Sequence, residues 1–187
     1  MQLTGFEGRV ALVTGAAGGI GEALARLLAK AGCTVVATDR TAPAIPEARV
    51  QAFALDVTDS VAVDALVDSV EATAGPIALA ASVAGVLHVG DVAQTTDADW
   101  RRVFAVNADG VFHVGRALAR VMSPRRQGAI VTVSSNAAGV PRHGMAAYAA
   151  SKAALAAFGR SLAAELLDTG VSVTNVCFPL VNTPMIA

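Results

Sequence analysis

One octapeptide constrains the fold of this chain more than any other feature. Residues 14–21 read TGAAGGIG, directly behind the β-branched run RVALVT (Arg9–Thr14) and leading into a helical pattern over Gly19–Ala31. Glycines there permit a tight turn from strand to helix and let the backbone approach a phosphate group. The start of the helix adds unpaired N–H groups and the positive end of the helix dipole. A second β-branched run, Thr34–Thr38, ends at Asp39, so strand, glycine loop, helix, strand and acid follow in the order that a dinucleotide-binding turn requires.

The same alternation continues to the end of the chain. Val50–Leu55, Ile77–Val83, Ala129–Ser134 and Val171–Phe178 read as strands. Ser60–Ala74, Asp97–Met122 and Ala146–Asp168 carry helical spacing, with Asp97–Met122 expected to hold a short helix and then a longer one. Near-continuous apolar strands belong to parallel sheets buried on both faces. The predicted fold class is therefore α/β: a doubly wound, Rossmann-like parallel sheet with helices on both faces and right-handed crossovers. Ligands of such sheets sit beyond the carboxyl ends of the strands, where the strand order reverses.

Composition excludes several functions. Hydrophobic residues make up 54% and charged residues 16%, with a net charge of −1. That leaves no disordered charged arm and no basic face for nucleic acid. The most apolar stretch, Pro76–Leu87, is broken by Ser82 and Gly85 and falls short of the roughly 20 residues that a bilayer requires, so no membrane partner is expected. The N-terminus has no export signal, and the expected location is the cytoplasm. Cys33 and Cys177 stand far apart, make no metal-ligand pattern, and are expected to be buried free thiols.

Asp39 lies 18 residues past Gly21, near the spacing of an acid that accepts a hydrogen bond from an adenosine ribose 2′-OH. A carboxylate there repels a 2′-phosphate, which favours NAD over NADP, although the neighbouring Arg40 could bind that phosphate if it swung inward. Asp56 and Val57 end the third strand, placed to meet an adenine or to make a turn or helix cap. The chain's single tyrosine, Tyr148, precedes Lys152 by one helical turn, on one face of the last helix. An ammonium group beside a phenol favours phenolate, and Ser135 at the end of the fifth strand can bond a substrate oxygen. These three side chains read as a proton-transfer site.

On those residues the chain resembles the short-chain dehydrogenase/reductase family. The match runs through T-G-x-x-x-G-x-G at Thr14, Gly15, Gly19 and Gly21, Asn107 in VNADG, Ser135, and Tyr148 and Lys152 in YAASK. It implies an NAD-dependent enzyme acting on CH–OH or CH–CH donors, with Tyr148 as acid/base, Lys152 lowering its pKa, Ser135 orienting the substrate and Asn107 holding a relay water. Thr14, Gly15, Gly19, Ile20, Gly21, Asp39, Asp56, Val57, Ala84 and Gly85 are the implied cofactor contacts, joined by Tyr148, Lys152, Pro179, Val181 and Thr183. The resemblance also implies a homodimer or homotetramer formed through Asp97–Met122 and Ala146–Asp168. Residues 1–187 would make one dinucleotide-binding and catalytic domain, without the C-terminal lid and last strand usual in the family.

A narrower similarity runs through FAVN, RRQGAIVTVSS and PRHGMAAYAASKAAL, and through the short connection from Asp39 to Asp56. These are similar to the 2,3-dihydro-2,3-dihydroxybenzoate dehydrogenases of catechol-siderophore synthesis. The small-molecule substrate so implied is a cyclic dihydrodiol carboxylate. Arg142 is then a candidate partner for its carboxylate, or a solvated loop arginine, and Met145 a wall for its ring, or plain packing. A dihydro-hydroxyanthranilate dehydrogenase, a ketone or 3-oxoacyl reductase, and an inactive nucleotide-binding scaffold remain as alternatives. Two departures from the family pattern stand out. SVAG (Ser82–Gly85) replaces NNAG, with Ser82 expected to take over the amide's structural hydrogen bond, and no glycine follows Pro179.

Overall fold

The β-branched runs pair side by side into one parallel sheet. The computed structural model describes residues 4–179 together with Val181 and Thr183. Its strands are β1 (Val10–Thr14), β2 (Thr34–Asp39), β3 (Val50–Ala54), β4 (Ile77–Ser82), β5 (Gly128–Ser135) and β6 (Val171–Phe178). They lie in the order β3-β2-β1-β4-β5-β6, every neighbouring pair parallel. The order reverses between β1 and β4, and the carboxyl ends of those two strands open a crevice.

The helices are α1 (Gly19–Lys30), α2 (Ser60–Thr73), α3 (Asp97–Phe104), α4 (Gly110–Met122) and α5 (Ala146–Glu165). Two of their starts are fixed by side chains. Asp59 accepts from the Val61 and Ala62 N–H groups ahead of α2, and Thr96 accepts from the Asp99 N–H ahead of α3. As expected, the segment Asp97–Met122 holds a short helix, α3, and then a longer one, α4. A π-turn over Ala105–Asp109 joins α3 to α4 without a break. Such a turn widens the helix by one residue, and this one carries Asn107.

Helices cover both faces of the sheet, unequally. On one face Leu12, Ile77, Ala80 and Ile130 pack against Val67 of α2, Leu118 and Met122 of α4, and Leu162 of α5. On the other, Ala11, Val13, Val35 and Ala37 meet Ala25, Leu28 and Ala29 of α1, with Ile45 from the connection between β2 and β3. Burial on both faces holds for the central strands: all of β1 is buried. It fails at the edges. Residues 51–54 of β3 are exposed and β6 is only partly covered, because an edge strand has a neighbour on one side alone. The same cause corrects the expectation for Cys177, which is exposed on β6, while Cys33 is buried.

Among the described residues, no helix is long and apolar enough to cross a membrane, and no group of His, Cys, Asp and Glu side chains is arranged to hold a metal ion.

Candidate active site

A cleft of ≈ 810 Å³ runs along the carboxyl ends of β1, β2, β4 and β5. The glycine loop forms one wall. Gly15 has φ +70°, and a Cβ built on it would sit 2.5 Å from the Ala84 backbone nitrogen. A Cβ on Gly21 would overlap the Gly15 carbonyl oxygen, so α1 can start only where a glycine lets it settle on the loop. Gly15, Gly19, Ile20, Ala84 and Gly85 line the cleft. Thr14 and Gly21 lie behind the lining instead. The Thr14 hydroxyl accepts the Val83 and Ala84 N–H groups at 3.2 and 3.3 Å and so straps β1 to the end of β4.

That strap bears on the SVAG departure. Ser82 is buried, yet its hydroxyl has no partner among the described residues. It does not take over the structural hydrogen bond expected of it. Thr14, on the neighbouring strand, reaches the backbone after β4 instead.

Two acids line one end of the cleft. Asp39 accepts the Ala17 N–H on one oxygen, at 3.1 Å, and the Arg40 N–H on the other, at 2.8 Å. It therefore braces the glycine loop from below while facing the cleft beside Arg40. Asp56 takes both the N–H and the hydroxyl of Thr58 on its Oδ1. These bonds hold its carboxyl below the usual range. Asp56 is thus both a turn residue and a wall of the cleft, and the helix cap falls to Asp59. The glycine cradle, the helix start behind it and the carboxylate at its far side fit a dinucleotide.

The other end gathers the candidate proton-transfer groups. Ser135 is the last residue of β5, and Tyr148 and Lys152 project from the first turns of α5; all three line the cleft. Lys152 is 4% exposed, and its Nζ donates to the Val133 carbonyl oxygen at 2.9 Å. Burial lowers its pKa to about 8. Its Nζ lies 5.9 Å from the Tyr148 ring centre. Burial raises the pKa of Tyr148, and the hydrogen bond with Ser135 lowers it by less. One of the three Lys152 N–H donors is engaged by Val133, and of the groups acting on Tyr148 it is the Ser135 hydroxyl that favours the phenolate.

Asn107 is fully buried and lies off the cleft wall. Its amide grips both backbone groups of Val86, accepting the N–H at 2.8 Å and donating to the carbonyl at 2.9 Å. Its second N–H donates to the Ser151 hydroxyl, which donates to the Tyr148 carbonyl oxygen. Arg142 and Met145 line the cleft near Tyr148. Arg142 is exposed and donates to Asn136 Oδ1 at 3.4 Å. Pro179, Val181 and Thr183 line it as well, whereas the position of the missing glycine, Leu180, lies outside the described residues.

The short chain dehydrogenase family model matches residues 9–187. The chain belongs to the short-chain dehydrogenase family. It is 43% identical over 180 residues to 2,3-dihydro-2,3-dihydroxybenzoate dehydrogenase of Bacillus subtilis (strain 168), covering 91% of this chain and 69% of that protein. It is 33% identical over 186 residues to a 3-oxoacyl-acyl-carrier-protein reductase of Escherichia coli (strain K12), covering 96% and 76%. A solved short chain dehydrogenase/reductase from Burkholderia phymatum, in complex with NAD, is 30% identical, with a TM-score of 0.91 over 98% of this chain and 69% of that one. This dehydrogenase is accordingly an oxidoreductase with the family's fold.

Several residues of the dehydrogenase's cleft escaped sequence reasoning. Arg102, Ala105 and Val106 reach the lining from α3 and the π-turn, and Leu87 from the loop after β4. The helical pattern over Asp97–Met122 carries no mark of the π-turn that presents them. Ser151 sits inside the YAASK stretch, three residues past Tyr148, but nothing in that spacing announces its bond to Asn107.

The opposing effects on Tyr148 give a pH prediction. A base must be ionised to act, so alcohol oxidation should rise with pH on approach to the phenol's pKa. Ser135→Ala removes the one interaction that lowers that pKa. The rising limb of log kcat/KM should move to higher pH in Ser135→Ala, beyond any fall in the rate itself. A limb that stays in place would show that Ser135 does not tune Tyr148.

Proposed function

We propose that this chain, acting as one dinucleotide-binding and catalytic domain in the cytoplasm, uses NAD to oxidise a cyclic dihydrodiol carboxylate of the 2,3-dihydro-2,3-dihydroxybenzoate kind. The ketone first formed tautomerises to an aromatic catechol acid, as siderophore-type biosynthesis requires. The observation that carries this reading is one shared cleft, with an acid-lined glycine cradle at one end and, at the other, a half-buried phenol beside a hydroxyl and a buried amine.

NAD, when bound, supplies the acceptor for a hydride. The residues of the chain do the rest. The backbone of Gly15–Ile20 takes the pyrophosphate, and Asp39 accepts from the ribose 2′-OH. Tyr148 takes the proton of the substrate hydroxyl while Ser135 donates to the same oxygen, and Lys152 holds the ribose on the nicotinamide side. Asn107 acts by steadying Val86. Arg142 at the mouth pairs with the substrate carboxylate, and Met145 lies against the ring. The 43% identity to the Bacillus subtilis enzyme supports the acid substrate. The 33% identity to the 3-oxoacyl reductase supports a second reading, reduction of an open-chain ketone.

Following reduced-cofactor absorbance over dihydrodiol acids, neutral alcohols and 3-oxoacyl thioesters separates the two. Tyr148→Phe should cut turnover by about 10²–10⁴-fold, the usual weight of a general acid or base, and leave NAD binding largely intact. Arg142→Ala should raise KM about tenfold or more for the carboxylated diol alone, since hydrogen bonds to charged groups are worth about 1.5–3 kcal/mol. Equal harm to a neutral alcohol would make Arg142 structural.

The cofactor end is tested separately. The unmutated protein should bind NAD far better than NADP, and Asp39→Ala should narrow that gap. Equal binding of both by the unmutated protein would reassign the ribose site to Arg40.

Copies of the chain pair, on this reading, through α3, α4 and α5, where Trp100 and Phe112 are each 43% exposed. Sedimentation at micromolar protein should give at least a dimer, and a lone monomer boundary would count against it.

A further inference from the structure

The adenosine end of the cleft has a support that the proposed chemistry does not use. Asp56, Val57 and Thr58 all line the cleft, and they leave the sheet from β3, its exposed edge strand. Nothing beyond β3 among the described residues holds that turn from the outside. It is held from across the crossover, by α4. The Val57 side chain fills the space above Gly110, where a Cβ would come within 2.6 Å of Val57 Cγ2. One turn along the same helix face, His113 Nδ1 lies 2.9 Å from the Val57 carbonyl oxygen, and that acceptor requires a proton on Nδ1. Further along α4, Arg116 pairs with Asp64 at 3.2 Å and Arg120 with Asp68 at 2.8 Å, so the helix follows α2 away from the turn. Those ion pairs are exposed and contribute little. Among the described residues, the half-buried His113 bond is the one polar contact from α4 to the wall itself.

We propose that His113 is a positioning residue for the adenosine half of the cofactor, holding the Asp56–Thr58 wall at the distance an adenosine requires. The proposal rests on the reading that this end of the cleft takes adenosine. Thr58 already fixes Asp56 Oδ1 within the turn. The internal turn sets the shape of the wall, and His113 sets its place relative to Asp39 and the glycine loop. Without that donor the Val57 carbonyl, in a residue only 6% exposed, loses its partner, and the wall shifts to find water.

Calorimetric titration of the full chain with NAD, ADP-ribose and nicotinamide mononucleotide tests this in His113→Leu, which keeps bulk without a donor, and in His113→Asn, whose amide restores one. His113→Leu should weaken ADP-ribose and NAD by about tenfold, close to the net worth of one hydrogen bond, and leave nicotinamide mononucleotide unchanged. In kinetics the loss should fall on KM for NAD, with kcat at saturating NAD moving by less than about twofold, as expected for a binding contact equal in ground and transition states. His113→Asn should recover most of the affinity for ADP-ribose. The proposal is overturned if His113→Leu binds ADP-ribose normally, if all three ligands weaken alike, or if His113→Asn recovers nothing while melting at the wild-type temperature. Failure of the unmutated protein to bind ADP-ribose would instead overturn the cofactor reading on which the proposal stands.

Discussion

The backbones of the glycine loop and of the segment after β4 pass so close that one added carbon would not fit between them. Gly15 lies against Ala84 at the reversal of strand order, and Gly21 lets α1 settle on Gly15. Thr14 ties the same two segments together through its hydroxyl. A bulky side chain at either glycine would push β1 and β4 apart or lift α1 off the loop. The cleft, its phosphate-facing wall and the loop that carries Val86 and Leu87 all depend on this approach.

The catalytic end is organised by a different kind of contact. Asn107, carried on a π-turn, grips both backbone groups of Val86 and passes a hydrogen bond through Ser151 to the carbonyl of Tyr148. The loop after β4 and the start of α5 are thereby fixed to one buried amide. Buried polar groups left without partners cost about 1–3 kcal/mol each, so such a network holds one geometry strongly. Burial then acts on the two titratable groups in opposite directions, raising Tyr148 and lowering Lys152. Both shifts favour the neutral form, moving the phenolate further above neutral pH and bringing the neutral amine closer to it.

The two ends of the cleft differ in how far local sequence determines them. Asp39 braces the loop through the Ala17 N–H, from the adjacent strand. The Asp56–Thr58 wall comes off an exposed edge strand and is positioned by α4, an element more than fifty residues later in the chain.

The sequence by itself determined the order of elements, the parallel sheet, the glycine cradle with Asp39, and the placing of Ser135, Tyr148 and Lys152 on one strand end and one helix face. All of these follow from local periodicity and spacing, which act over a few residues at a time. Only the tertiary structure decided that Thr14 is a strap rather than a wall, that Ser82 finds no partner among the described residues, and that Cys177 is exposed. It alone directed Lys152 to Val133, opened a π-turn around Asn107, and gave the wall after β3 to His113. The bonds among them join segments distant in sequence, and the exposure of Cys177 follows from the edge place of β6 in the sheet; neither leaves a period for a linear reading to find.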